Sequence, residues 1–147
     1  MGHVFYAGLA FVAGLGVPAL AAMSGILGAR MGTAFLASAI TLLVGGAVVL
    51  CVFAFAGPPR GGITWPWPTI GYAAGLFSAL YIIAITLAAP RIGVANAVFL
   101  VILGQLVSAG VIDHFGLFGA PQVPMSWKRA GGVALMAVGV FLARRPV

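Results

Sequence analysis

Residues 31–59 read MGTAFLASAITLLVGGAVVLCVFAFAGPP, without one Asp, Glu, Lys or Arg. Crossing the hydrocarbon of a bilayer takes about 20 consecutive apolar residues. A run this long, apolar on all sides, has no face to offer water, so it is a transmembrane helix and not a core helix of a soluble domain. Outward from it lie four more uncharged runs: Val4 to Ala29, Gly61 to Pro90, Ile92 to Ile112 and Ala130 to Ala143. The last covers only about 21 Å at 1.5 Å per residue. It reaches span length by starting near Met125, with Lys128 and Arg129 snorkelling to the headgroups. The chain is therefore expected to be an all-α integral membrane protein, a single transmembrane domain over residues 1–147, with helices at about 4–28, 33–56, 70–89, 94–113 and 126–143.

Composition agrees. Hydrophobic residues make up 63% of the chain and charged residues 5%, and the mean hydropathy is +1.23. The net charge of +6 is not a nucleic-acid footprint, because the basic residues sit singly or in pairs at span ends. Cys51 has no partner within the chain, so neither a disulfide nor a thiolate metal site is available to one copy. The first run is longer than a signal-peptide core and lacks a basic leader, so it is expected to be a retained helix.

The connections are unequal. Arg30 and Gly32 mark one tight turn; Pro90, Arg91 and Gly93 mark another. Pro58, Pro59, Gly61 and Gly62, then Trp65-Pro66-Trp67-Pro68, break the chain between the second and third spans. Gly116, Gly119, Pro121 and Pro124 do the same between the fourth and fifth. Trp65, Trp67 and Trp127 suit a membrane interface. The two tight turns echo each other: Arg30-Met31-Gly32-Thr33-Ala34 and Arg91-Ile92-Gly93-Val94-Ala95 both read Arg-x-Gly-x-Ala. Either a helical hairpin has been duplicated, or both turns use a common solution.

The seven basic residues are the topology determinants. Arg60, Lys128 and Arg129 fall on the N-terminal side of the membrane; Arg30, Arg91, Arg144 and Arg145 fall on the other. Three against four is a weak positive-inside bias, and Asp113 adds little to it. Two readings follow: insertion in both orientations with pairing of inverted copies, or one weakly set orientation. The odd number of helices favours the first, since a tandem fusion of two such chains would form an inverted repeat, a recurring transporter plan.

Small residues recur at four-residue spacing and allow close helix approach in lipid: Ala10, Gly14, Pro18 and Ala22; Gly71, Gly75 and Ala79; Gly104 and Ser108; Ala130 and Ala134. Packing within one subunit is expected for most, a dimer seam for one or two. Pro18 removes a backbone donor in mid-span and is expected to kink the first helix, for shape or to border a solute path. Candidate path residues are Pro18, Ser24, Ser78, Tyr81, Gln105 and Ser108. Gln105 is the largest polar group within a span; its amide needs an interhelical partner, a solute or water. Asn96 lies on the opposite face and is expected to cap the fourth helix. Asp113, the only acid, and His114 are expected to anchor the loop after the fourth span through backbone, Arg60, Lys128 or Arg129; a gating or proton-relay role is the alternative.

No Asp, Glu, Lys or Arg lies inside a span, so the chain lacks the intramembrane carboxylate by which proton-coupled exporters exchange a proton for a cation. No phosphate-cradling loop and no nucleophile–base–acid set can be assembled, so catalytic, cofactor and metal sites are not expected.

These residues resemble the single-domain, five-helix YdcZ-like branch of the drug/metabolite transporter superfamily. The resemblance runs from Gly14-x-x-x-Pro18, Ala21-Ala22, Ser24 and Leu27 through Gly32, Ala37, Gly45-Gly46, Gly71 and Gly75. It is most specific from Gln105 through Ile112-Asp113-His114-Phe115-Gly116-Leu117-Phe118-Gly119 to Arg129, Gly131-Gly132 and Gly139-Val140. It implies a subunit equivalent to half of a ten-helix inverted-repeat transporter. Such a subunit pairs with an inverted copy of itself or with a similar five-helix partner in a bacterial cytoplasmic (inner) membrane and moves a small metabolite. The chain departs from the family at Leu20 and Ser24, where Gln and Asn are common. That departure keeps open a specialised half of a heteromeric pair or a different substrate; the absence of a titratable coupling group keeps open a passive channel-like pathway, and a non-transporting structural or regulatory subunit is the third reading.

Overall fold

In hydrocarbon, every backbone N–H and C=O needs a partner from the protein, and a helix supplies it locally. The computed structural model describes residues 2–58, 61 and 70–143, the side chain of Ile70 excepted, and all regular structure among them is helical. Helix α1 spans Gly2–Met31, α2 Ala34–Ala56, α3 Ala74–Ile92, α4 Val94–Phe115 and α5 Trp127–Ala143. A 3-10 turn at Ile70–Ala73 leads into α3, and another at Leu117–Gly119 follows α4. Arg60, Trp65, Trp67, Arg144 and Arg145 lie outside the described residues.

Four helices, α1 to α4, are long and apolar enough to cross a membrane. With 17 residues, α5 stands at the lower limit of about 17–25 for a span. At 30 residues, α1 is about 45 Å long. It exceeds the hydrocarbon core and must tilt or project from it.

The tight turns follow the sequence echo. Gly32 has φ 67° and Gly93 φ 85°, left-handed values that cost a Cβ-bearing residue energy. Each glycine ends one helix and releases the next within two residues. Asn96 does not cap α4. The N-cap position is Gly93, and the Asn96 Nδ2 donates back to the Ile92 carbonyl at 2.9 Å, tying the start of α4 to the turn before it.

The chain divides into two compact units, Met1–Arg91 and Ile92–Val147. The core of the first inverts the soluble pattern. Its buried residues are small or β-branched: Ala21, Ser24, Gly25 and Gly28 on α1, Ala37 and Ser38 on α2, and Ile82, Ile85, Thr86 and Ala89 on α3. Its large apolar residues point outward, Phe5, Phe11, Val49 and Phe55 among them, as lipid contact requires. In the second unit, α4 and α5 flank an apolar groove with Met125 beside Gly110.

The small-residue stripes are mostly not internal packing seams. Ala10, Gly14, Pro18, Gly71, Gly75, Gly104 and Ser108 are exposed, and a Cβ added at Gly14, Gly75 or Gly104 would meet nothing within 4 Å. The seam on α1 lies instead on the face carrying Ala21, Ser24, Gly25 and Gly28. Four-residue spacing identifies a smooth face; it does not say which of two smooth faces the neighbouring helices choose.

Candidate functional site

At Gly28 on α1, both α2 and α3 come within van der Waals reach. A Cβ there would lie 3.1 Å from Thr86 Cγ2, 3.4 Å from Ala34 Cα and 3.7 Å from Ala37 Cβ. One helical turn earlier, a Cβ at Gly25 would lie 3.1 Å from Pro90 Cγ. Lipid tails are as apolar as side chains, so helices associate here through close packing and polar contacts, and small residues permit both.

The polar groups of the first unit sort by whether they are satisfied. Ser38 Oγ donates to the Ala34 carbonyl at 2.8 Å, Thr41 Oγ1 to Ala37 at 2.9 Å and Ser78 Oγ to Ala74 at 3.1 Å. Ser24 Oγ reaches the Ala21 carbonyl at 3.4 Å, a long contact. These hydroxyls bond back to their own helices, the usual resolution for Ser and Thr in a helix. Two buried side-chain oxygens remain without a partner among the described residues: Tyr81 Oη and Thr86 Oγ1. In addition, Pro90 has no N–H to offer the Thr86 carbonyl four residues earlier. Buried polar atoms are normally paired, and an orphan is expensive enough to need a reason.

Sequence reasoning selected Tyr81 and missed Thr86. Thr86 sits in an apolar stretch, IIAITLAAPR, where a single hydroxyl resembles a helix-satisfied one. The available signal was its position four residues before Pro90.

The other candidate residues are dispersed. Ser24 and Thr41 border an apolar groove of about 410 Å³ between α1 and α2. Pro18 lies on the exposed side of α1, which continues unbroken through it. Ser78 is exposed on α3, and Gln105 and Ser108 are exposed near the middle of α4. No hydrogen bond of the Gln105 amide is found among the described residues, so the interhelical partner expected for it is not supplied there.

Asp113 and His114 occupy the last turn of α4, not the loop beyond it. Asp113 Oδ2 accepts from Arg129 Nη2 at 2.6 Å, and the Asp113 carbonyl accepts from the Val123 N–H at 2.8 Å. His114 Nδ1 accepts from the Met125 N–H at 2.9 Å, and its carbonyl accepts from Gln122 Nε2 at 3.2 Å. Gly116, with φ 61°, closes α4 through its N–H to the Ile112 carbonyl, a left-handed helix end. Ser126 Oγ accepts from the Arg129 N–H at 3.2 Å and caps α5. Residues 113–129 are thus laced by hydrogen bonds into one framed loop. Beside it, the α4–α5 groove, about 480 Å³, is lined by Leu106, Gly110, His114, Met125, Ala130 and Ala134 among others. Its walls are almost wholly apolar.

Residues 5–142 match the model of a protein family described as "Putative inner membrane exporter, YdcZ". No curated protein and no solved structure matches the chain.

Proposed function

The chain belongs to the YdcZ family, of drug/metabolite transporter type, and from that premise we propose that it is half of an exporter. Two copies insert in opposite orientations and together enclose a path for a small metabolite across a bacterial inner membrane. The observation that carries this reading is Gln105. It lies near the middle of a 22-residue apolar helix, it is exposed, and its amide finds no partner among the described residues. Hydrocarbon cannot solvate that amide, so the surface around it belongs to an interface with another subunit or to a wet path. Under this reading the candidate path residues are Pro18, Ser24, Ser78, Tyr81, Gln105 and Ser108. Asp113 and His114 act as the loop anchor. The weak charge bias allows the inverted pairing.

The spans carry no titratable coupling group, which favours a neutral or weakly charged solute and leaves a passive path as the second reading. Flux of a metabolite panel into liposomes holding the purified chain separates these cases. Saturation and counterflow support a carrier. Linear flux supports a passive path. Absence of flux across the panel contradicts both. A Gln105→Leu chain that folds normally is expected to lose at least about tenfold in flux, the order of one or two hydrogen bonds to a solute; unchanged flux removes Gln105 from the path.

A further inference from the structure

One bond in the framed loop depends on the protonation state of a side chain that titrates near neutrality. His114 Nδ1 accepts from the Met125 N–H at 2.9 Å. A neutral imidazole has one accepting nitrogen, so its proton must sit on Nε2. An imidazolium donates from both nitrogens and accepts at neither. Once Nδ1 takes up a proton from water, the bond becomes a contact between two donors. Histidine is the side chain whose unperturbed charge change falls between about pH 5 and 8.

Met125 is held at two points. Its N–H meets His114, and its Cε lies only 2.7 Å from where a Cβ on Gly110 would be. Gly110 is buried on α4, so the missing side chain leaves the notch that the Met125 methyl fills. Gly110, His114 and Met125 all line the α4–α5 groove of about 480 Å³. Pro124 has no N–H to give, so Met125 carries the first main-chain donor after Val123. The other ties of the loop do not use the imidazole. Val123 N–H is held by the Asp113 carbonyl, Gln122 Nε2 by the His114 carbonyl, and Arg129 by Asp113 and Ser126. These keep the loop attached while Met125 is released.

The other charged side chains on the packed elements are Asp113 on α4 and Lys128 and Arg129 in the first turn of α5. Asp113 is already paired with Arg129, so its carboxylate is committed to another cation. Lys128 adds a further positive charge. The connection between α4 and α5 carries no charged residue.

We propose that His114 and Met125 form a pH-released latch on the α4–α5 groove. The neutral imidazole holds Met125 over Gly110 and closes the loop end of the groove; protonation of Nδ1 lets Met125 go and opens it. Closure uses the neutral ring alone, so it is complete at high pH and is lost as the ring gains its proton on acidification. The latch lies within the second unit and does not depend on whether the chain transports.

The test is nuclear magnetic resonance of the full chain in neutral detergent micelles, from about pH 8 to about pH 5. His3→Ala leaves His114 as the single histidine, and ring-15N labelling reads its tautomer and its titration. Methyl-13C methionine labelling, assigned with Met125→Leu, reads the Met125 methyl. The expected result is the Nε2–H tautomer at high pH and a Met125 methyl that shifts in step with the His114 titration. The ratio of closed to open loop is expected to fall about three- to tenfold, the order of one hydrogen bond. His114→Asn keeps a non-titrating acceptor and should hold the methyl in its high-pH position throughout. His114→Phe, without an acceptor, should show the low-pH position throughout. If His114→Phe fails to fold, the tautomer and the coupled titration still decide. An Nδ1–H tautomer at high pH overturns the proposal, as does a Met125 methyl that ignores the titration. So does a His114→Asn chain whose methyl moves with pH as in the parent.

Discussion

Replacing Gly28 by alanine isolates the packing that holds α1, α2 and α3 together. The added Cβ would stand 3.1 Å from Thr86 Cγ2 and 3.4 Å from Ala34 Cα. Neither neighbour yields easily: Thr86 is 2% exposed and β-branched, and Ala34 presents backbone at the start of a helix. Overpacking of this kind costs about 1–3 kcal/mol. Against it stands the gain of about 0.5–1 kcal/mol for replacing a helical glycine by alanine. The expected net is a destabilisation of about 0.5–2 kcal/mol. Gly14→Ala, where the Cβ meets nothing within 4 Å, keeps the propensity gain and lacks the clash. The two variants should therefore differ by about 1–3 kcal/mol, with opposite signs relative to the parent. Unfolding of the chain in mixed micelles, titrated with a denaturing detergent and followed by far-ultraviolet circular dichroism, reads that difference. Equal stability of the two variants would refute the three-helix seam.

Thr86→Val removes a buried hydroxyl that has no partner and keeps the shape. It is expected to raise unfolding stability by about 1 kcal/mol, and a clear loss would show that the hydroxyl is satisfied in the folded chain. At the framed loop, Ser126→Ala removes the cap of α5 and should cost about 0.5–2 kcal/mol. Arg129→Gln breaks an ion pair whose side chains are 43% and 33% exposed, and should cost under about 1 kcal/mol. Thermal unfolding of both ranks them, and a larger loss for Arg129→Gln would contradict the ranking.

The helices were legible because a membrane allows little else. Uncharged runs bounded by Arg30, Gly57, Arg91 and Gly116 locate helices by backbone chemistry alone. The boundaries moved where local bonding decided. α3 runs through Pro90 to Ile92, because a proline near a helix end forfeits one hydrogen bond without ending the helix. α4 runs through Asp113 to Phe115, where Gly116 turns the chain. Packing faces were less legible. Ala10, Gly14 and Pro18 look as suited to close approach as Ala21, Gly25 and Gly28, and only the neighbouring helices distinguish them. Polar residues divided the same way. Ser38, Thr41 and Ser78 spend their hydroxyls on their own helices, and Thr86 does not. That difference rests on rotamer and burial, which composition and spacing do not carry.

The central claim is that inverted copies of one chain build the exporter, and the population of each orientation tests it most directly. Cys51 is the only cysteine, so Cys51→Ala gives a silent background. Gly61→Cys and Met31→Cys then report opposite sides of the membrane while leaving all seven basic residues in place. Labelling with a membrane-impermeant maleimide, in right-side-out and inverted vesicles, is expected to modify each position from both faces in comparable amounts. Labelling of each position from a single face, opposite for the two, would contradict pairing of inverted copies.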